Sequence, residues 1–167
     1  YRCCAGLDVH KETVAACVRR VDAGGRIGKE ICTFGTTTGA LLQLSDWLTA
    51  QGVEAAAMES TGVFWKPIWN ILEGSVKLVL VNARHIKNVP GRKTDVKDCD
   101  WIAQLLQHGL LRASFVPERG QRDLRDLTRQ RSQLTAEQAR VANRIHKTLE
   151  DANIKLGSVA TDILGVS

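Results

Sequence analysis

The residues best placed to do chemistry are carboxylates at the ends of apolar segments. In Lys93-Thr94-Asp95-Val96-Lys97-Asp98 and the residues after it, Trp101, Ile102, Leu105 and Leu106 recur at helical spacing. The pattern predicts a helix over 92–106, with Thr94 or Asp95 as N-cap and Gly109 as the stop. Asp95 and Asp98 fall inside the apolar stripe, whereas Asp100 shares the opposite face with Lys97 and Gln104 and is expected to be solvated. Carboxylates on a core-facing stripe need a partner, because burying unpaired charge is costly. Two partners fit: the helix N-terminus, with the acids as caps, or a metal ion held against the core.

Two more acids stand at comparable places. Asp8 closes a strand predicted over Cys3–Val9, in which Ala5, Leu7 and Val9 share one face and Cys4, Gly6 and Asp8 the other. Glu59 closes a short apolar strand over 53–58. If these two strands lie side by side, a helix crossing them can bring Asp95 and Asp98 to Asp8 and Glu59. Four oxygen donors without His or Cys suit Mg²⁺ or Mn²⁺. Two such ions about 4 Å apart activate an attacking oxygen and stabilise a leaving one in phosphodiester chemistry. Each acid taken alone also has a plainer reading, Asp8 as a strand terminus and Glu59 as part of a helix N-terminus before Ser60-Thr61.

The elements that must position these groups follow in order. Strands are predicted over Cys3–Val9, Thr13–Val21 and 26–34, with Asp22-Ala23-Gly24-Gly25 as a turn, and a helix over 39–51 carries Leu41, Leu44 and Leu48. The strand ending at Glu59 leads into a helical segment to about Leu72, which Pro67 is expected to divide. A buried strand over 76–81 and a basic loop or short helix over 82–92 then deliver the chain to Asp95. The order is βββαβαβα, an α/β core. Residues 118–154 read as one long helix or two, with a weak heptad through Leu124, Leu127, Leu134, Val141 and Ile145; a hairpin packed on the core fits nearly as well. Three segments are expected: 1–117 as the core, 118–156 as a basic helical part, and 157–167 as the start of a linker.

Gly6-Leu7-Asp8 before a hairpin also fits the first phosphate loop of the sugar-kinase and actin fold, which shares this strand order. That fold needs later glycine-rich phosphate and adenosine loops, and the chain offers neither these nor a G-x-x-x-x-G-K-[ST] stretch. With 44% hydrophobic and 25% charged residues and no apolar run of about 18, the chain reads as soluble and without a membrane span. No signal peptide is recognised, so a cytoplasmic location is expected. Its five cysteines contain no C-x-x-C pair, which argues against zinc and against a disulfide framework. The net charge of +5 is concentrated: residues 119–147 hold eight Lys and Arg against three acids. Such a segment implies a polyanion partner.

Gly6-Leu7-Asp8-Val9-His10-Lys11, Met58-Glu59-Ser60-Thr61-Gly62 and Lys93-Thr94-Asp95-Val96-Lys97-Asp98, in this order, resemble the DEDD transposases of insertion sequences. These are relatives of the RuvC resolvase and include the pilin-gene invertases. The resemblance implies an RNase H-like (RuvC-type) core with a mixed five-stranded sheet and flanking helices, followed by a coiled-coil segment. It implies Asp8, Glu59, Asp95 and Asp98 as catalytic and Mg²⁺- or Mn²⁺-binding residues. It also implies DNA as substrate, a structured guide RNA, homodimers or higher homo-oligomers, and a bacterial or archaeal nucleoid setting. Nucleic acid is expected on Lys93, Lys97, Arg122, Arg125, Arg129, Arg140 and Arg144. The family's C-terminal domain with a nucleophilic serine would begin where this sequence stops, so the chain looks like an excerpt. His10 and Lys11 stay outside the catalytic set, and Trp65, Trp69 and Trp101 are read as core. The competing function is a non-catalytic nucleic-acid-binding and dimerisation module in which the acids are helix caps.

Overall fold

The computed structural model describes residues 1–88 and 97–158. Three strands lead, β1 (Cys3–Val9), β2 (Thr13–Val21) and β3 (Ile27–Gly35), joined as an antiparallel meander. Helix α1 (Thr38–Ala50) starts at Thr37, whose hydroxyl accepts from the Ala40 N–H at 3.4 Å, and is followed by β4 (Ala55–Glu59). Then come α2 (Trp65–Leu72), β5 (Lys77–Val81), α3 (Ala83–Asn88), α4 (Asp98–Gln107) and α5 (Arg119–Asp151). The sheet order is β3-β2-β1-β4-β5, with β4 parallel to both β1 and β5. This is the RNase H-like arrangement, and it places the first and fourth strands side by side at the centre.

Strand alternation sorts the core into two layers. Ala5, Leu7, Val14, Ala16, Ala56 and Met58 meet Leu41, Leu44 and Leu48 of α1 and Ile68 and Leu72 of α2. On the other face Cys4, Ala55, Ala57, Val79 and Val81 meet Ile86 of α3 and Trp101, Ile102, Leu105 and Leu106 of α4. Trp101 is core as expected, and Trp65 and Trp69, half-buried, pack against the α1–α2 layer and edge to face with each other, ring centroids 6.0 Å apart.

Helix α4 lies directly on the β1 backbone. A Cβ on Gly6 would stand 2.1 Å from the Cys99 carbonyl oxygen and 2.4 Å from the Ala103 nitrogen. Only glycine permits that approach.

Two expectations need correcting here. Pro67 does not divide a helix; α2 begins at Trp65, and Pro67 sits in its first turn, where no intrahelical N–H bond is lost. The last core helix does not have Thr94 or Asp95 as its cap. Its N-cap is Lys97, which makes no side-chain cap bond, and Asp98 is its first residue. Thr94 and Asp95 themselves lie outside the described residues, as does Lys93.

The chain divides into two compact units, Tyr1–Val116 and the part from Pro117 onward. In the second, α5 is one continuous helix of 33 residues, about 50 Å at 1.5 Å per residue, and none of its residues is buried. No helix among the described residues is long and apolar enough to cross a membrane.

Candidate metal centre and nucleic-acid interface

Asp8 is the last inward position of β1 before the edge. It follows Cys4 and Gly6 on the α4 face, one residue beyond the Leu7↔Met58 pair that aligns β1 with β4. Glu59 continues the Ala55–Ala57 face of β4, which is the same face, and ends that strand. Both carboxylates therefore leave the sheet at the carboxyl ends of its two central parallel strands, toward the helix whose first residue is Asp98.

Two neighbours that the sequence reading did not place in the site hold these acids. His10 Nε2 lies 3.2 Å from Asp8 Oδ2, and the Thr61 hydroxyl donates to Glu59 Oε1 at 2.5 Å. Both are two residues beyond the acid they touch, a spacing that brings successive same-side residues together once a strand ends. The Asp8 side chain is 27% exposed and Asp98 is exposed, so the carboxylates face solvent rather than the core.

That overturns the core-facing reading of Asp98. At the first position of α4 it precedes the turn that packs on the sheet, where Trp101, Ile102, Leu105 and Leu106 are buried. Among the described residues, no three His, Cys, Asp or Glu side chains are gathered closely enough to hold a metal ion. Asp8 and Glu59 thus end adjacent strands on the face that α4 covers, Asp98 opens α4, and the three do not close a site by themselves. Their donor set, all carboxylate oxygen, fits a hard divalent cation. The fourth acid of the set, Asp95, is outside the described residues.

Asp100 reverses its expected role. It is 4% exposed, and its carboxylate accepts from Arg19 Nη1 at 2.5 Å and from Lys29 Nζ at 2.9 Å. Arg19, itself 8% exposed, also donates from Nε to Gln107 Oε1 at 3.1 Å. Helical periodicity set Asp100 with Lys97 and Gln104 on a solvent face; instead it is buried against the sheet, facing a cation from β2 and another from β3. The available signal was Arg19 itself, a charged residue that strand alternation places on the same side of β2 as Cys17.

Burial pushes the Asp100 carboxyl up. Hydrogen bonds and charge from Lys29 and Arg19 outweigh that and hold it below the ordinary carboxylate range. A depressed folded-state value means stability that is present above the unfolded carboxyl pKa, near 4, and lost as pH falls through the folded one. Asp100→Asn should therefore cost about 3 kcal/mol at pH 7, roughly 10 °C in Tm, by leaving Arg19 buried without its countercharge. The gap between variant and native chain should narrow below pH 4, as melts from pH 2 to 7 would record. A gap independent of pH would remove the ion pair as its cause.

Two thiols on the α4 face, Cys4 and Cys17, are held protonated. Burial pushes the Cys4 thiol up to about 11. A hydrogen bond with Cys99, together with burial, pushes Cys17 well above its ordinary value. Both are packing thiols on the α4 face.

On α5 the side chains separate by angle. At 100° per residue, Arg122, Arg125, Arg129, Arg140, Arg144 and Lys147 fall in one arc about 100° wide. Leu124, Leu127, Leu134, Val141 and Ile145, all exposed, fall in another arc roughly opposite. One helix thus carries a cationic face and an exposed apolar face. Arg122 also donates to the Pro117 carbonyl at 2.8 Å, and Arg129 lies 3.7 Å from Asp126.

A five-stranded sheet of this order with acids at the carboxyl ends of its central strands, followed by a long helix with a cationic face, defines the general class: an RNase H-like domain with a basic helical extension. The chain belongs to the IS110-type family of DEDD transposases, whose model, described as a transposase, matches residues 5–154. Membership makes it a DNA-acting enzyme of the transposase kind. A comparison with curated proteins gives no match.

Among solved structures the chain is similar to RuvC of Thermus thermophilus bound to a Holliday junction, at 11% identity over 67% of this chain and 99% of that one, with a TM-score of 0.43. A second structure of Thermus thermophilus RuvC aligns at 13% identity over the same shares, with a TM-score of 0.45. The fowlpox virus resolvase with Holliday junction DNA aligns at 13% identity over 65% of this chain and 73% of that one, with a TM-score of 0.39.

Proposed function

We propose that this chain is the metal-dependent catalytic part of a DNA transposase or recombinase that acts on DNA phosphodiesters together with a structured guide RNA. The observation that carries the reading is the exit of Asp8 and Glu59 on one face of adjacent parallel strands, toward the helix that starts at Asp98. Family membership supports it. Asp8, Glu59, Asp95 and Asp98 would hold Mg²⁺ or Mn²⁺. Bound there, a divalent ion supplies Lewis acidity to the attacking and leaving oxygens of a phosphodiester.

The chain's own residues prepare that site. Thr61 occupies one oxygen of Glu59 and leaves the other for the ion, and His10 holds Asp8 from the solvent side. The cationic face of α5, with Arg122, Arg125, Arg129, Arg140 and Arg144, would bind phosphates of DNA or guide RNA, with Lys93 and Lys97 adding charge beside the acids. Its apolar face would pair with a second copy of the chain, as a heptad stripe of Leu and Val requires.

Clustered carboxylates repel one another without a cation, so metal should raise the melting temperature. At one hundred times Kd the gain is about 2.7 kcal/mol. Asp8→Asn should remove most of it while leaving the metal-free melt unchanged or slightly higher. Anomalous diffraction from a manganese-soaked crystal would locate the ion directly. A native chain whose melt ignores Mg²⁺ and Mn²⁺ would sink the metal reading and leave the acids as helix caps in a binding module.

A further inference from the structure

We infer that Arg19 and Asp100 are positioning residues for the carboxylate site, setting the rotation of α4 about its axis; this rests on the metal reading above. Arg19 grips α4 at two points, Asp100 through Nη1 and Gln107 through Nε. These residues are seven apart, hence on one face of the helix and two turns, about 10 Å, from each other. A two-point attachment along one face resists both rotation and sliding, which a single contact does not.

The cations are themselves held. Arg19 and Lys29 stand directly opposite one another across β2 and β3. Like charges in that relation repel. Asp100 sits between them and accepts from both, so the sheet offers its carboxylate one favoured place. The close contact at Gly6 sets how near α4 lies to the sheet, and the clamp sets which way it is turned. Apolar packing alone tolerates small rotations. A carboxylate at the first position of α4 does not: metal ligands must be held to within about 0.5 Å.

The chemistry of the clamp supports orientation over stability. A buried ion pair is a weak source of net stability, because desolvation offsets its Coulomb attraction, and well-packed apolar replacements are often neutral or stabilising. A purely structural clamp and a positioning clamp therefore predict different results for one variant.

In the 167-residue chain, Arg19→Met/Lys29→Met/Asp100→Leu should keep the native circular dichroism and a Tm at or above the native value. It should nevertheless bind Mn²⁺, titrated by electron paramagnetic resonance of the free ion, at least tenfold more weakly. Arg19→Lys, which keeps the charge but loses the fork that reaches both Asp100 and Gln107, should weaken Mn²⁺ binding several-fold. Its test stands even if the triple variant does not fold. Native Mn²⁺ affinity in a folded triple variant, or in Arg19→Lys, overturns the positioning role while the metal reading survives. Absence of Mn²⁺ binding by the native chain overturns both.

Discussion

Gly6→Ala should unfold the first unit or leave it barely folded. The added methyl would lie 2.1 Å and 2.4 Å from two backbone atoms of α4 and 3.0 Å from the Ile102 Cβ. Helix backbone cannot yield as a side chain does, so α4 must lift from β1 by an ångström or more. Lifting would open the contacts that bury Cys99, Ala103 and Ile102, and would pull Asp100 from Arg19. Ordinary overpacking costs about 1–3 kcal/mol. Separating a whole helix from its sheet should exceed 4 kcal/mol, a large part of the roughly 5–15 kcal/mol that holds a domain together.

The expected observations are loss of a cooperative melt, or a Tm more than about 10 °C lower. Gly39→Ala is the control: it lies in α1, its Cβ would meet nothing within 4 Å, and alanine favours helix by up to about 1 kcal/mol. A Gly6→Ala chain that melts with the native protein would mean that α4 is not seated on β1 as described.

Reversing Arg125, Arg129 and Arg140 to Glu should weaken nucleic-acid binding at least tenfold without unfolding either unit. No residue of α5 is buried, so the changes open no core. Each phosphate contact removed should lower the slope of log affinity against log salt by about one. Three removed contacts should reduce affinity at least tenfold in 100 mM salt, and the added negative charge enlarges the loss. Fluorescence anisotropy with a labelled duplex between 50 and 200 mM salt measures both quantities, and the Mg²⁺-dependent melt should stay as it was. If binding survives the triple change, the phosphate surface belongs instead to residues 84–97.

Strand alternation in the sequence put Cys4, Gly6 and Asp8 on one face and Ala5, Leu7 and Val9 on the other, and the two core layers divide along that line. The order of the elements was also legible, including the adjacency of the strands that end at Asp8 and Glu59. These are local matters, since a period of two or of 3.6 residues is written in the chain itself. The three motifs that resemble the DEDD family were readable for the same reason, and the family match over residues 5–154 agrees with them.

What the sequence by itself determined, then, was which residues share a face and in what order the faces come. What faces them was decided only in three dimensions. Periodicity turned Asp100 away from the apolar stripe, toward an expected solvent; the tertiary structure filled that space with Arg19, 81 residues earlier, and with Lys29. It likewise turned Asp98 inward, while its place as the first residue of α4 leaves it exposed. Gly6 reads as an unremarkable strand residue until α4 is laid upon it, 93 residues downstream at Cys99. A side chain's direction follows from backbone geometry over a few residues. Its solvation, and so the sign of its contribution, depends on elements brought together by the sheet.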